Sequence, residues 1–152
     1  MGGRPRNPAS RSADAELERL KPGDVVAVID LDHFKRVNDT YGHAAGDRAL
    51  CALADHLHSS MRGPDSAYRI GGEEFLVVLP GASRSGLAVV RRLHDRWRAQ
   101  KRVATFSAGV AIVSPGESAH AAVARADGAL YQAKHEGRDR VALDASPDDP
   151  GA

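Results

Sequence analysis

The sequence predicts an α/β fold of the α+β kind, a central and mostly antiparallel sheet flanked by helices in βαββαβ order. Three observations predict it. The apolar run Val25-Val26-Ala27-Val28-Ile29 has the length of a buried strand and ends in Asp30-Leu31-Asp32. Two strand-like runs, 66–70 and 75–79, flank Gly71-Gly72 as a hairpin. Three longer segments with apolar residues at helical spacing separate the strands.

In chain order, residues 1–12 read as a flexible lead-in and 13–20 as a short helix stopped by Lys21-Pro22-Gly23. After the first strand comes a polar loop or short helix as far as Gly42. A helix over 46–61 follows, with Leu50, Leu53, Ala54, Leu57 and Met61 on one face. Gly63-Pro64 breaks it, and Pro80-Gly81 ends the hairpin. The helix over 83–98 carries Leu87, Val90, Leu93 and Trp97, and a strand over 103–113 comes next. The helix over 118–136 turns Ala122, Val123, Ala126, Leu130 and Ala133 inward and stops at Gly137. Residues 141–143 add an edge strand, and 145–152 form a loose, disordered acidic tail.

With 152 residues, 42% hydrophobic and 27% charged, the chain fits one domain, here placed at 13–144. A net charge of +1 gives no general footprint for nucleic acid. The lone Cys51 cannot form an internal disulfide and suits a reducing compartment. No stretch has the length of a membrane span and the start lacks a signal-peptide core, so the cytoplasm is the expected location.

Chemistry concentrates at two places. Gly-Gly suits a two-residue turn with positive φ at both positions, which would put Glu73 and Glu74 at an exposed tip. Asp30 and Asp32 point the same way if the strand continues, since side chains alternate with period two. Strand-end aspartates and tip glutamates are hard oxygen ligands that suit Mg²⁺ together with substrate phosphates. A polar strand end and a solvated turn are the plainer readings of the same residues.

Gly71-Gly72-Glu73-Glu74-Phe75 joins further blocks in register: 30–39 (DLDHFKRVND), Tyr41-Gly42-His43, Gly46-Asp47, Ser107-Ala108-Gly109-Val110, Ala126-Asp127, Tyr131-Gln132-Ala133-Lys134 and Gly137-Arg138. With these the chain, from about 25 to 141, resembles the GGDEF domain of diguanylate cyclases in its GGEEF form. The resemblance implies a palm-like, nucleotidyl-cyclase-like sheet. It also implies a nucleotidyltransferase that condenses two GTP into cyclic di-GMP, a bacterial second messenger, and releases two pyrophosphates. Each subunit of a homodimer, transient or ligand-assembled, would hold one GTP and two Mg²⁺ or Mn²⁺ ions.

Carried over by position, Asp30, Glu73 and the Leu31 carbonyl are the metal ligands, and Glu73 is the proton acceptor for the 3′-hydroxyl. Lys35 stabilises charge in the transition state. Asn38 and Asp47 read guanine, although Asp47 also suits a helix N-terminus, where an acid is favoured. His43 touches substrate or braces its loop. Lys134 and Arg138 contact the triphosphate. Asp32, Glu74, Gly71 and Gly72 form a second tier, Asp32 being either ligand or structural.

Arg62-Gly63-Pro64-Asp65 has the RxxD form of the family's product-binding inhibitory site, with Arg91 and Arg92 as further contacts. A local ion pair explains the same two residues. The family's usual Leu-Thr-Gly-Leu-x-Asn-Arg opening is reduced here to residues 2–8 with Asn7 retained, and the link from Trp97 to Val103 is short. A missing sensory domain and a minimal form remain equally open. The alternative function is a receptor that binds cyclic di-GMP through Arg62 and Asp65 without making it.

Overall fold

The structure, a computed structural model, describes residues 8–144; the expected start of the lead-in and the acidic tail lie outside them. The elements are α1 (Pro8–Glu18), β1 (Val25–Leu31), α2 (Phe34–Tyr41), α3 (His43–Ser59), β2 (Ser66–Arg69), β3 (Glu74–Leu79), α4 (Ser85–Ala99), β4 (Phe106–Ile112), α5 (Ala119–His135) and β5 (Val141–Asp144). The strands form one sheet in the order β2-β3-β1-β4-β5. All neighbours are antiparallel except β4 and β5, which are parallel. The expected architecture, a mostly antiparallel sheet between helices, is therefore the observed one.

β1 sits at the centre and is buried throughout, which explains why it is a continuous apolar run. Its odd residues, Val25, Ala27, Ile29 and Leu31, join a core with Leu50, Leu53 and Leu57 of α3 and Val90, Leu93 and Trp97 of α4. Its even residues, Val26 and Val28, face the opposite layer with Ala13 of α1 and Ala122, Ala126 and Leu130 of α5. α5 lies directly on β4. A Cβ at Gly109 would fall 1.9 Å from the Ala126 carbonyl oxygen, so only glycine permits that approach.

Several boundaries differ from the sequence expectation. α1 begins at Pro8, not residue 13, so the lead-in cannot extend to residue 12; proline is well tolerated in a helix's first turn. The polar segment between β1 and Gly42 is a helix, α2, entered through His33 in the left-handed region at φ 54°. α3 starts at His43, which places Asp47 inside the helix and removes the helix-terminus account of it. β4 begins only at Phe106, and before it the Ala104 carbonyl accepts from the Trp97 indole N–H at 2.9 Å.

Candidate active site at the end of β1

The register of β1 sets Asp30 between Glu74 of β3 and Ser107 of β4. As an even residue, Asp30 points toward α5, whose last turn supplies Lys134. The Lys134 ammonium pairs with Asp30 Oδ2. Asp30 is only 4% exposed, and its Oδ1 is buried without a hydrogen-bond partner. Burial pushes the Asp30 carboxyl above its ordinary pKa, and Lys134 only partly offsets this.

Asp32, two residues on, is spent. Its Oδ1 accepts from Ser107 Oγ at 2.6 Å, and its Oδ2 accepts from Thr105 Oγ1 at 2.6 Å and from the Asp139 N–H at 3.0 Å. These bonds hold the start of β4 and the turn after α5. The structural alternative for Asp32 is the one the geometry supports.

The hairpin tip differs from the expected two-residue turn. Neither Gly71 nor Gly72 has positive φ. Ile70 N–H donates to the Glu74 carbonyl at 3.0 Å, leaving Gly71, Gly72 and Glu73 as a wider loop. Arg69, which had no assigned role, supports that loop: its guanidinium donates to the carbonyls of Gly71 (3.2 Å) and Gly72 (2.7 Å). Its one sequence signal is adjacency to the signature. The Leu31 N–H donates to the Glu73 carbonyl at 3.3 Å, stitching the tip to the end of β1. Burial first, then the Asp30 charge, raises the Glu73 pKa. Glu74 is raised by burial, then by Asp30 and Asp127.

Among the described residues no group of three His, Cys, Asp or Glu side chains is gathered to hold a metal. The end of β1 and the hairpin tip bring Asp30 within electrostatic reach of Glu73 and Glu74. That donor set fits Mg²⁺, which binds through one or two carboxylates and takes its remaining ligands from water and phosphate. The unpartnered Asp30 Oδ1 is a buried acceptor such a cation would satisfy.

The packing of α2 on α3 sets Asn38 against Gly46, the residue before Asp47. A Cβ at Gly46 would lie 1.9 Å from Asn38 Oδ1, so this glycine makes room for the amide, whose Oδ1 is buried and unpartnered. Asp47 lines a cavity of about 740 Å³ with Leu50, Tyr68, Arg69 and Phe75; neither Asp30 nor Glu73 is in its wall. Lys35 and His43 are exposed on the first turns of α2 and α3. Arg138 follows α5 at φ 65°, within electrostatic reach of Asp30.

Arg62 and Asp65 lie apart, beyond the end of α3. The Arg62 guanidinium donates to both Asp65 oxygens, at 2.9 and 2.7 Å, and to the Pro80 carbonyl at 3.3 Å. The local ion pair expected as the plainer reading is present. The Asp65 side chain is 1% exposed and that of Arg62 is 48% exposed.

Residues 7–140 match the family described as "Diguanylate cyclase, GGDEF domain". Diguanylate cyclase DgcP of Pseudomonas aeruginosa is 43% identical over 131 residues, which are 78% of this chain and 19% of that protein. The GGDEF domain of DgcB from Caulobacter crescentus, solved in complex with c-di-GMP, has a TM-score of 0.77 at 34% identity over 89% of this chain and 85% of that one. The active GGEEF domain of a diguanylate cyclase from Vibrio cholerae has a TM-score of 0.77 at 31% identity, covering 89% and 91%. The chain spans less than half the length of the curated relatives it matches.

Proposed function

The chain belongs to the diguanylate cyclase GGDEF family, and from that premise we propose that it condenses two GTP into cyclic di-GMP with release of two pyrophosphates. The single observation that carries this reading is the end of β1, where Asp30 keeps a buried, unpartnered oxygen beside the GGEEF tip. Asp30, Glu73 and the Leu31 carbonyl are the groups we assign to Mg²⁺ or Mn²⁺. A divalent cation bound there would neutralise phosphate charge and lower the pKa of the attacking 3′-hydroxyl.

The chain's own residues do the remaining work. Glu73, made more basic by burial and by Asp30, accepts the 3′-hydroxyl proton. Lys134 and Arg138 bind the triphosphate, the first as a point charge and the second as a planar fork. Lys35 stabilises the charge that develops on the transferring phosphate. Asn38 and Asp47 read guanine through amide and carboxylate, with His43 beside them. Open space over Gly72 lets backbone approach a phosphate. The 3′-hydroxyl of one GTP attacks the α-phosphate of the other, so two chains, each holding one GTP, must meet as a homodimer.

Product control at Arg62 and Asp65 is part of the same proposal. Asp65 braces the guanidinium while half of Arg62 stays open to a phosphate or a guanine edge. Arg91 and Arg92, exposed on α4, are candidates for further contacts.

Incubating the purified protein with GTP and Mg²⁺ and separating products by chromatography tests the reading. Cyclic di-GMP should accumulate, with a rate per chain that rises with protein concentration. Glu73→Gln should lower turnover about a hundredfold or more, the order expected for a general base. A wild type that binds cyclic di-GMP but makes none, at any concentration, would favour the receptor reading instead.

A further inference from the structure

The three residues after α5 and its cap, Gly137, Arg138 and Asp139, all have positive φ, at 127°, 65° and 49°. Glycine adopts such angles freely and aspartate tolerates them, but a long side chain seldom does. Strained backbone persists only where its surroundings over-determine it, and it concentrates at functional sites. Here the surroundings act on Asp139.

Every polar atom of Asp139 is engaged. Its Oδ1 accepts from His94 Nε2 at 2.8 Å, and its Oδ2 accepts from Arg98 Nε at 3.1 Å. Its carbonyl accepts from Arg98 Nη2 at 3.0 Å, and its N–H donates to Asp32 Oδ2 at 3.0 Å. His94 is itself locked, 6% exposed and edge-on to the Phe106 ring with centroids 5.1 Å apart. α4 and the end of β1 therefore grip the turn from two sides.

Arg138 is treated differently. Its N–H donates to the Ala133 carbonyl and its own carbonyl accepts from Arg140 Nε, so its backbone is fixed. Its guanidinium makes no hydrogen bond or ion pair among the described residues, while it lies within electrostatic reach of Asp30. The fold spends its anchors on residue 139 and leaves the side chain of residue 138 available.

We propose that Asp139, held by His94 and Arg98 of α4 and by Asp32 just after β1, is a positioning residue that presents Arg138 to the triphosphate of the substrate. The inference rests on the reading of Arg138 as a triphosphate ligand. A carboxylate fits the task because it accepts from imidazole and guanidinium at once and tolerates the left-handed backbone.

Initial rates over a range of GTP concentrations, with thermal melts of each variant, test it. Arg138→Ala should raise KM for GTP about tenfold, the order for removing one charge-assisted hydrogen bond. Asp139→Ala should raise KM several-fold with a smaller change in kcat. The double variant should be no worse than Arg138→Ala alone, since nothing remains to be positioned. Asp139→Asn, which keeps an acceptor and a tolerance for positive φ, should recover most of the deficit. His94→Gln provides a second route to the same KM effect if Asp139→Ala does not fold. If Arg138→Ala raises KM while neither Asp139→Ala nor His94→Gln does, the positioning role falls and the triphosphate assignment stands. Multiplying effects in the double variant would likewise overturn it, because Asp139 would then act independently of Arg138. An unchanged KM in Arg138→Ala removes the triphosphate assignment and the proposal with it, even where Glu73→Gln confirms cyclase activity.

Discussion

The surroundings of Asp30 and of Asp32 differ although the two residues leave one strand end on the same side. Asp32 gives both carboxylate oxygens to protein donors from β4, from Thr105 before it and from the turn after α5. Asp30 gives one oxygen to Lys134 and keeps the other buried and unpartnered. A carboxylate with both oxygens engaged by protein donors is a structural tie. One with a buried unmet acceptor costs stability, and that cost is retained where a ligand satisfies it. The same contrast recurs elsewhere: Glu117 is filled by Arg125 and the Ser114 N–H, whereas the Asn38 amide oxygen is left unmet beside Gly46.

The largest expected effect breaks the comparison at Asp30. Asp30→Asn should lower turnover about a hundredfold or more, comparable to losing a preorganised charge-stabilising group. Its unfolding free energy should stay within about 1 kcal/mol of wild type, because the charge removed was already penalised by burial. Retained activity, read by chromatography alongside Mg²⁺ titration, would make Asp30 a second structural tie.

Asp32→Ala should do the reverse in kind. It strips acceptors from the fully buried Ser107 hydroxyl, from Thr105 and from the Asp139 N–H. A drop of about 2–4 kcal/mol in denaturant unfolding is expected, on the scale of several unsatisfied buried groups. A variant as stable as wild type would show that these groups find other partners.

Gly46→Ala sharpens the contrast at Asn38. The added methyl would displace the amide, so GTP affinity should fall by about tenfold, as for removal of one specific hydrogen bond. Asn38→Ala should match it. Unchanged GTP affinity in both would mean that guanine is read elsewhere.

The smallest effect concerns Glu117. Its side-chain bond to Arg125 holds its pKa below the ordinary glutamate range, so its contribution is present above about pH 4.3 and is lost as pH falls through the depressed value. Glu117→Gln should cost less than about 1 kcal/mol at neutral pH and flatten the acid limb of the stability curve. Melting temperatures between neutral and acid pH check it, and an unchanged acid limb would remove Glu117 from the filled class.

The sequence by itself determined the strands, most helices, their order and the place of Asp30 at the carboxyl end of the first strand. Those follow from short-range geometry: the apolar run of β1 and the helical spacing in α3, α4 and α5 are properties of consecutive residues. It also marked the GGEEF hairpin, although Gly-Gly suggested a tighter turn than the loop braced by Arg69. Only the tertiary structure decided which candidate carboxylate is spent and which is open. Asp30 meets Lys134 from 104 positions away, and Asp32 meets the Asp139 N–H from 107 positions away. Such partners converge because β3, β1 and β4 lie side by side while α5 crosses the sheet and delivers the next turn to the end of β1. Hydrogen-bond satisfaction is a property of that convergence, and no local pattern of residues encodes it.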